Sequence, residues 1–273
     1  MDLRGIESSL EVRATSSLHP HEETIPSRVD RMVGRLLKDG VQKDPLIVDG
    51  ETGVVLDGMH RLAAIARLGL RNAICGSVKY NSRAVAVKRW ARVYSASNRS
   101  DLLETLELVG LTRVETVSRA LRELESRRSG VVAMSSGSAL APRVHVGLVG
   151  AFSIVRKLDS IADDRRWRRR FVPEDEGGAE AAKAGRFVVM VRRLAKADVL
   201  RAALGGALFP CKISMHTVDP RPVSVNFPTS LLKGATRESL GVHMAKARGR
   251  LLPANSVYGG RRYKERLLIV RER

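Results

Sequence analysis

A five-residue turn, Asp57-Gly58-Met59-His60-Arg61, constrains this chain more than any other feature of its sequence. It lies between an apolar run, residues 53–56, and a segment with apolar residues at helical spacing. A strand that passes through a glycine into a helix leaves unpaired backbone N–H groups and the positive end of the helix dipole at the turn. The sequence therefore predicts an anion site suited to phosphate, with His60 and Arg61 as added donors and Asp57 as an adjacent carboxylate.

Size and charge narrow the class of protein. The chain has 273 residues, 44% of them hydrophobic, so it can bury two cores, and we expect two domains. The formal net charge of +19 indicates an anionic partner. On charge alone this partner could be nucleic acid, a membrane surface or a phosphorylated small molecule.

Cysteine spacing and the length of the apolar stretches restrict the class of protein further. Cys75 and Cys211 show no spacing typical of a disulfide framework or a zinc site, which predicts two buried thiols. The N-terminus lacks the apolar core of a signal peptide, and the longest apolar stretch, residues 144–155, is too short to span a bilayer. We therefore expect a soluble, cytoplasmic protein.

Periodicity and turn residues predict alternating helices and strands. Before the turn we expect a helix capped by Ser27 and ended by Gly40. Residues 81–128 carry apolar side chains at helical spacing, and residues 129–142 are rich in Gly, Ser and Ala, so we expect a helical segment and then an exposed linker. A second α/β region follows, with a strand at 144–149, a basic helix at 163–170 and a mobile charged insertion at 172–185.

A second candidate site is the acidic pair in His21-Glu22-Glu23, within a proline-stiffened loop upstream of the turn. Adjacent loop glutamates are usually solvated charges. If this loop lies over Asp57, however, two carboxylates and a phosphate site come together. That set suits phosphoryl transfer, which needs a base for the acceptor hydroxyl, a ligand for Mg²⁺ and donors for the transferred group.

These residues carry a resemblance to a known superfamily. His21-Glu22 with Pro26-Ser27-Arg28, then G-x(4)-P-L-I-V-D, then G-V-V-L-D-G-M-H-R-L-A-A-I-x-x-L-G, resembles the N-terminal domain of ParB partition proteins, sulfiredoxins and free-serine kinases. Met59 stands where sulfiredoxins have their catalytic cysteine, and His60 replaces the first arginine of the ParB motif G-E-R-R. The aspartate-led turn with the upstream His-Glu pair is most similar to the free-serine kinases.

The resemblance extends to the second half of the chain. The segment Leu208-Phe209-Pro210-Cys211-Lys212-Ile213-Ser214-Met215-His216 is similar to the kinase pattern L-F-P-P-K-x-T-R-H, and Pro220-Arg221-Pro222 follows it as in that family. The resemblance implies that Glu22 is the catalytic base and Asp57 the essential aspartate of the turn. It implies nucleotide binding by Gly58, Met59, His60 and Arg61. It implies a substrate pocket lined by Trp90, Lys212, Ser214 and His216.

The pattern departs from the family at Met215, where an arginine is usual. An arginine would hold a substrate carboxylate with two parallel hydrogen bonds, which methionine cannot form. Either Lys212 or Arg221 takes over this contact, or the acceptor is not serine.

Two basic segments keep a nucleic-acid alternative open. Residues 111–122 could form the second helix of a helix-turn-helix, although we favour an amphipathic connecting helix with a solvated basic face. The run Arg165–Arg170, which contains Trp167, could bind nucleic acid. Acidic residues lie on both sides of this run, at 163–164 and 174–176, and they favour local ion pairs instead.

We therefore predict an α+β protein with three regions: a ParB/sulfiredoxin-like nucleotide-binding domain at 1–100, a helical connector and linker at 101–142, and a C-terminal α/β substrate lobe at 143–273. The predicted activity is phosphoryl transfer from ATP or ADP to free L-serine, with Mg²⁺ as cofactor and its ligands unassigned. We expect no membrane partner and no nucleic-acid partner. The alternatives are a kinase of another small hydroxyl compound and a ParB-like, nucleotide-dependent DNA-binding protein.

Overall fold

The computed structural model describes residues 10–96, 99–183 and 185–272. Its α-helices are α1 (Pro26–Asp39), α2 (Met59–Arg67), α3 (Arg99–Leu108), α4 (Val117–Glu125), α5 (Leu148–Asp164), α6 (Glu174–Ala181), α7 (Lys196–Leu204) and α8 (Arg237–Ala245). Its first nine strands are β1 (Leu10–Ala14), β2 (Val41–Gln42), β3 (Leu46–Asp49), β4 (Val55–Asp57), β5 (Asn72–Val78), β6 (Val85–Ser95), β7 (Leu111–Val114), β8 (Val131–Ser135) and β9 (Ser138–Pro142). The others are β10 (Arg168–Pro173), β11 (Arg186–Val191), β12 (Ser214–Val218), β13 (Arg221–Val223), β14 (Phe227–Pro228), β15 (Ala247–Leu252), β16 (Val257–Tyr258), β17 (Arg261–Arg262) and β18 (Leu267–Glu272). The mixed α and β composition confirms the predicted class.

The described chain forms two compact units, each discontinuous in sequence. Unit 1 holds the described residues up to Ala86, then Lys196–Cys211, then those from His216 onward. Unit 2 holds Val87–Ala195 and Lys212–Met215. The three regions predicted from the sequence are continuous and stay a prediction. The compact units interleave instead, because the chain returns to unit 1 after Ala195.

Unit 1 is built on a four-stranded sheet in the order β1-β5-β3-β4, in which β3 and β5 are parallel. Every residue of β3 is buried, as expected for a strand covered on both faces. Helix α1 begins with Pro26 after an Ile25 N-cap, so the predicted Ser27 cap is wrong. Proline suits the first helical position because that position needs no N–H donor. Gly40, at φ +66°, ends the helix as predicted.

Unit 1 is completed by three smaller sheets, β13-β18-β15, β14-β2 and β16-β17. Cys75 lies in the core of unit 1, and both cysteines are buried, as predicted.

Unit 2 is built on a sheet in the order β10-β6-β11-β8-β9-β7, and β12 also pairs with β6. The predicted helical segment 81–128 is wrong over β6, an eleven-residue strand. Three valines, a tryptophan and a tyrosine in this run favour a strand. Residues 111–114 form β7, which pairs with β9, so the helix-turn-helix alternative does not form.

The linker predicted at residues 129–142 is also wrong. Residues 129–142 form the hairpin β8–β9, and every residue of β8 is buried. The turn uses Gly137 at φ +69°, a conformation that glycine adopts without strain. Ala139 and Ala141 belong to the core of unit 2, together with Ala120 and Leu124 of α4, so this segment is part of the sheet rather than a solvated linker.

The next region also differs from the prediction. Helix α5 begins at Leu148, so the strand predicted at 144–149 is wrong, and buried residues at spacings of three and four define its inner face. Residues 168–170 lie in β10 rather than in a basic helix. Helix α6 occupies much of the segment predicted to be mobile, with Gly177 and Glu180 buried. None of the described helices has the length and apolar character needed to cross a membrane.

Candidate active site

The glycine turn joins β4 to α2 in unit 1. Gly58 is the N-cap of α2 at φ +108°, and a Cβ atom there would lie 2.7 Å from Leu46 Cδ2, so both backbone and packing require glycine. The first bond of the helix runs from the Leu62 N–H to the Gly58 carbonyl at 2.8 Å. The N–H groups of residues 59–61 therefore have no acceptor within the helix, which is the arrangement that binds anions.

The side chains of the turn bind neighbouring backbone. His60 Nε2 accepts a hydrogen bond from the Ile25 N–H at 3.0 Å, which requires that this nitrogen carry no proton. Arg61 Nη1 donates to the Pro45 carbonyl at 2.8 Å. Met59 packs against the hydrophobic core of unit 1. The two polar side chains thus hold the turn against the starts of α1 and β3, and their predicted contacts with nucleotide stay a prediction.

Glu22 is buried in an extended segment beside β4. The His19 N–H donates to the Gly53 carbonyl at 3.0 Å, and the Val55 N–H donates to the His19 carbonyl at 2.9 Å. On its other side the segment exchanges backbone bonds with Phe209, which receives the Glu23 N–H at 2.8 Å. Only 3% of Glu22 is exposed. The segment and β4 run in parallel, so the fold brings Glu22 toward the strand end that carries Asp57.

Two buried histidines, His21 and His216, lie near Glu22 in the interior of unit 1. His21 Nδ1 donates to the Val55 carbonyl at 2.7 Å, and its Nε2 lies 3.7 Å from Glu22 Oε1. The ring of His216 is edge-on to that of His21 at 5.3 Å, and His216 Nε2 lies 2.9 Å from the Tyr80 hydroxyl.

Burial lowers the pKa of His216 well below its ordinary value of 6.5, and the neighbouring His21 lowers it further. Asp57 and the Leu56 backbone oppose this shift without reversing it. His216 is therefore neutral, and its Nε2 and the Tyr80 hydroxyl share one hydrogen bond.

Arg221 connects this interior to the turn. It donates from Nη1 to Asp57 Oδ2 at 2.7 Å, from Nε to Glu265 Oε1 at 2.5 Å, and from Nη2 to the His216 carbonyl at 2.7 Å. Burial lowers the pKa of Arg221, but Asp57 and Glu265 outweigh burial and the net shift is upward. The arginine offered as a replacement cation for Met215 is thus bonded to Asp57 instead.

Sequence reasoning missed Tyr80 and Glu265, and it gave His21 no role of its own. A buried arginine needs compensating carboxylates, so Arg221 between two prolines was a signal for at least one partner. Nothing in the sequence paired Glu265 with Arg221 in particular, since 44 residues separate the two.

The predicted substrate residues Trp90 and Lys212 lie together in unit 2. The Lys212 ammonium is 5.0 Å from the centre of the Trp90 ring, within the range of a cation–π contact. The Trp90 N–H donates to the Ile213 carbonyl at 3.4 Å. Ser214 and Met215 are both buried at the start of β12. Of the four predicted pocket residues, His216 alone falls in unit 1.

The basic run Arg165–Arg170 is engaged largely by local carboxylates. Arg165 pairs with Asp101, Arg169 pairs with Asp159 and Asp163, and Arg170 pairs with Glu180. Over the described ranges, no group of three or more His, Cys, Asp or Glu side chains is placed to hold a metal ion.

Comparison with known proteins relates the chain to L-serine kinases. It is 23% identical over 225 residues to the ATP-dependent L-serine kinase of Staphylothermus marinus, which covers 79% of this chain and 88% of that protein. It is 20% identical over 215 residues to the ADP-dependent L-serine kinase SerK of Thermococcus kodakarensis, at 77% and 87% coverage. A ParB-like protein of Sulfolobus acidocaldarius is 39% identical over 84 residues, 31% of this chain and 42% of that relative. No family model matches.

Comparison with solved structures identifies the fold. A free serine kinase in complex with AMP superposes with a TM-score of 0.70 at 18% identity, covering 82% of this chain and 93% of that chain. The chain has the free-serine-kinase fold. This confirms the resemblance that the turn and the Leu208–His216 segment predicted. SbnI from Staphylococcus aureus, truncated at its C-terminus, shares the free-serine-kinase fold with a TM-score of 0.69 at 13% identity, covering 88% of this chain and 97% of that one.

Proposed function

We propose that this protein is a kinase that transfers a phosphoryl group from ATP or ADP to the hydroxyl of free L-serine, giving O-phospho-L-serine. The observation that carries the proposal is that unit 1 holds a buried carboxylate, Glu22, beside the strand that ends in the Asp57–Gly58 turn. Relatives named as L-serine kinases over more than three quarters of this chain support the same donor and acceptor. The proposal includes a cytoplasmic location.

The nucleotide phosphates bind at the turn in this proposal. The N–H groups of residues 59–61 and the N-terminal end of the α2 dipole meet the transferred group, and they need no reorganisation because Gly58 and the His60 and Arg61 contacts fix the turn. Mg²⁺ would be held by Asp57 together with phosphate oxygens and would neutralise charge on the phosphates. One carboxylate plus phosphates is a common ligand set for Mg²⁺, so the lack of a larger cluster among the described side chains fits it.

Glu22 acts as the general base. It takes the proton of the acceptor hydroxyl, the hydroxyl oxygen forms a bond to the terminal phosphorus, and the bond from that phosphorus to the bridging oxygen breaks. The shortened nucleotide then leaves with that oxygen and its electron pair. Positioning supplies most of the rate, since phosphoryl transfer asks little covalent chemistry of the protein.

The acceptor is bound by the residues around Trp90. Lys212 is the cation that meets the substrate carboxylate, because Met215 is apolar and Arg221 is bonded to Asp57 and Glu265. A lysine holds a carboxylate as a point charge without the fixed fork of an arginine. Met215 therefore favours a second candidate, a kinase of another small hydroxyl compound that bears an anionic group.

The test is incubation with Mg²⁺, L-serine and either ATP or ADP, followed by phosphorus NMR for O-phosphoserine. We expect product with at least one donor. A panel of other hydroxy acids run beside L-serine decides between the two acceptors. If no acceptor yields a phosphomonoester with either donor while the nucleotide still binds, the proposal is wrong.

Glu22→Gln tests the base. We expect turnover to fall by about 10²- to 10⁴-fold, the usual contribution of general base catalysis, with nucleotide affinity unchanged. Glu23→Gln is the matched control, since it alters the neighbouring glutamate and should retain turnover. Full turnover of Glu22→Gln would remove Glu22 from the mechanism.

A further inference from the structure

Unit 2 contains a cavity of about 690 Å³ that the proposed reaction does not use. It lies on the face of the seven-stranded sheet that α4 and α6 cover. Its apolar lining includes Val117 and Leu121 from α4 and Met134 and Met190 from the sheet. This volume falls within the range of small-molecule sites, which are mostly apolar with a few polar groups that orient the ligand.

A glycine of α6, Gly178, lines this cavity. Helix α6 contains two adjacent glycines, and a Cβ atom on Gly177 would lie 2.9 Å from Met190 Cε, so packing explains that one. A Cβ atom on Gly178 would meet nothing within 4 Å, and its backbone has no positive φ. The space beside Gly178 is therefore available to an occupant of the cavity.

Four of the charged groups at the cavity neutralise one another. Arg89 is 4% exposed, contacts Glu125, and places Nε 2.9 Å from Glu174 Oε2. Arg193 Nε lies at the same distance from Glu174 Oε2 and also reaches Glu125. Two guanidinium and two carboxylate groups thus form a closed network that offers little net charge to a ligand.

Lys88 is the cation outside this network, and the Asp175 carboxylate also lines the cavity. Lys88 lines the cavity, is half-buried, and forms no ion pair with a carboxylate anywhere in the described ranges. The hydroxyl of Ser135, in the buried strand β8, also lines the cavity and has no hydrogen-bond partner among the described residues. A half-buried ammonium beside an apolar wall selects a ligand with one anionic group and an aliphatic body.

We infer that this cavity binds a small aliphatic carboxylate. The carboxylate meets Lys88 and the Ser135 hydroxyl, and the aliphatic body lies on Leu121, Met134 and Met190 in the space that Gly178 leaves. Both simple branched-chain acids and aliphatic amino acids carry this chemistry. The inference does not depend on the proposed kinase activity.

Methionine-methyl NMR of the full chain tests it, because two of the seven methionines line the cavity. The probes are 4-methylpentanoate, L-leucine and the uncharged 4-methylpentanol. We expect 4-methylpentanoate to shift the Met134 and Met190 signals saturably and to leave Met59 and Met244, in the unit 1 core, unmoved. L-leucine then separates the two sources, since it binds only if the site accepts an ammonium group.

Two variants with matched controls complete the test. Gly178→Leu should abolish the shifts by filling the cavity, whereas Gly241→Leu, at an exposed glycine of α8 with open space around it, should not. Lys88→Gln should weaken 4-methylpentanoate binding by roughly two- to fivefold, as expected of a single partly exposed ion pair, and the exposed Lys157→Gln should leave it unchanged. The inference fails if neither methionine signal moves up to the solubility of 4-methylpentanoate, if the alcohol binds as tightly as the acid, or if Gly178→Leu still binds.

Discussion

Each unit contains a polar network built around a buried arginine. In unit 1, Arg221 is 3% exposed and bonds to Asp57, Glu265 and the His216 carbonyl. In unit 2, Arg92 is 1% exposed, places Nε 3.4 Å from Asp159 Oδ2, and donates to the Lys212 carbonyl at 3.1 Å. Each network also includes a buried tyrosine, Tyr80 in unit 1 and Tyr94 in unit 2.

The two networks differ in the surroundings of the carboxylate that each arginine contacts. The Asp159 carboxylate receives Arg92, Arg169 and the Tyr94 hydroxyl, so protein donors surround it. The Asp57 side chain is 36% exposed and stands one residue before the glycine turn. Burial and ion pairing are therefore common to the structural network of unit 2 and the candidate site of unit 1. What distinguishes the candidate site is a more exposed carboxylate, 36% for Asp57 against 21% for Asp159, beside preorganised N–H donors.

The largest effect should come from Arg221→Met. Removing one partner of a buried ion pair costs about 3–5 kcal/mol, and here Glu265 would be left buried and Asp57 would lose its orientation. We expect urea unfolding to show this loss and serine phosphorylation by the remaining folded protein to fall as well. Arg221→Lys should recover part of the stability, because it restores charge without the three-way contact. An unfolding free energy within experimental error of wild type would show that the network contributes no stability.

Tyr94→Phe and Tyr80→Phe compare the two networks directly. Tyr94 donates to the Asp159 carboxylate at 2.6 Å, so its loss should cost about 1.5–3 kcal/mol, as for a bond to a charged group. Tyr80 bonds to neutral His216, so its loss should cost about 0.5–1.5 kcal/mol. Turnover per folded molecule should stay at the wild-type level in Tyr94→Phe and fall in Tyr80→Phe. The opposite pattern of turnover would place the functional network in unit 2.

Gly58→Ala should cost about 1–3 kcal/mol and weaken nucleotide binding, because alanine at φ +108° is strained and its Cβ meets Leu46. Gly110→Ala in unit 2 is the matched control, since Gly110 has φ +90° with nothing within 4 Å of a Cβ. The control should show the strain in thermal unfolding and keep nucleotide affinity, measured by calorimetry. Equal nucleotide affinity in both variants would argue against phosphate binding at the turn.

The smallest effect is a pH dependence from His216. Its pKa in the folded protein is below its ordinary value of 6.5, so the unfolded chain binds the proton more readily. This contribution to stability is complete above pH 6.5 and is lost as the pH falls toward the folded pKa, by about 1 kcal/mol between pH 6.5 and 5.5. His216→Gln should flatten that part of the urea stability profile, and His145→Gln, at an exposed histidine of unit 2, should leave it unchanged. A profile that keeps its slope in His216→Gln would assign the slope to another group.

The parts predicted well from the sequence are those determined by local chemistry. The turn and the Gly40 helix end each depend on a few adjacent residues. The strand β6 was missed because its partners β10 and β11 come from distant segments. The hairpin β8–β9 was missed because its small side chains do not reveal which face is covered. The contact of Arg221 with Asp57, 164 residues apart, could not be predicted without the fold.

The interleaving of the units limits how this protein can be divided. The chain passes between units after Ala86, Ala195, Cys211 and Met215, and the shortest passage, Lys212–Met215, contains two of the predicted substrate residues. A fragment ending at Ala195 would lack Ile213, whose carbonyl accepts a hydrogen bond from the Trp90 backbone N–H. Neither unit is one continuous segment of the chain, so neither can be cloned or exchanged as a single piece. If the acceptor binds beside Trp90 and Lys212, as proposed, a recombination that changes the acceptor must bring both Val87–Ala195 and Lys212–Met215, whereas a point substitution at Met215 needs no recombination.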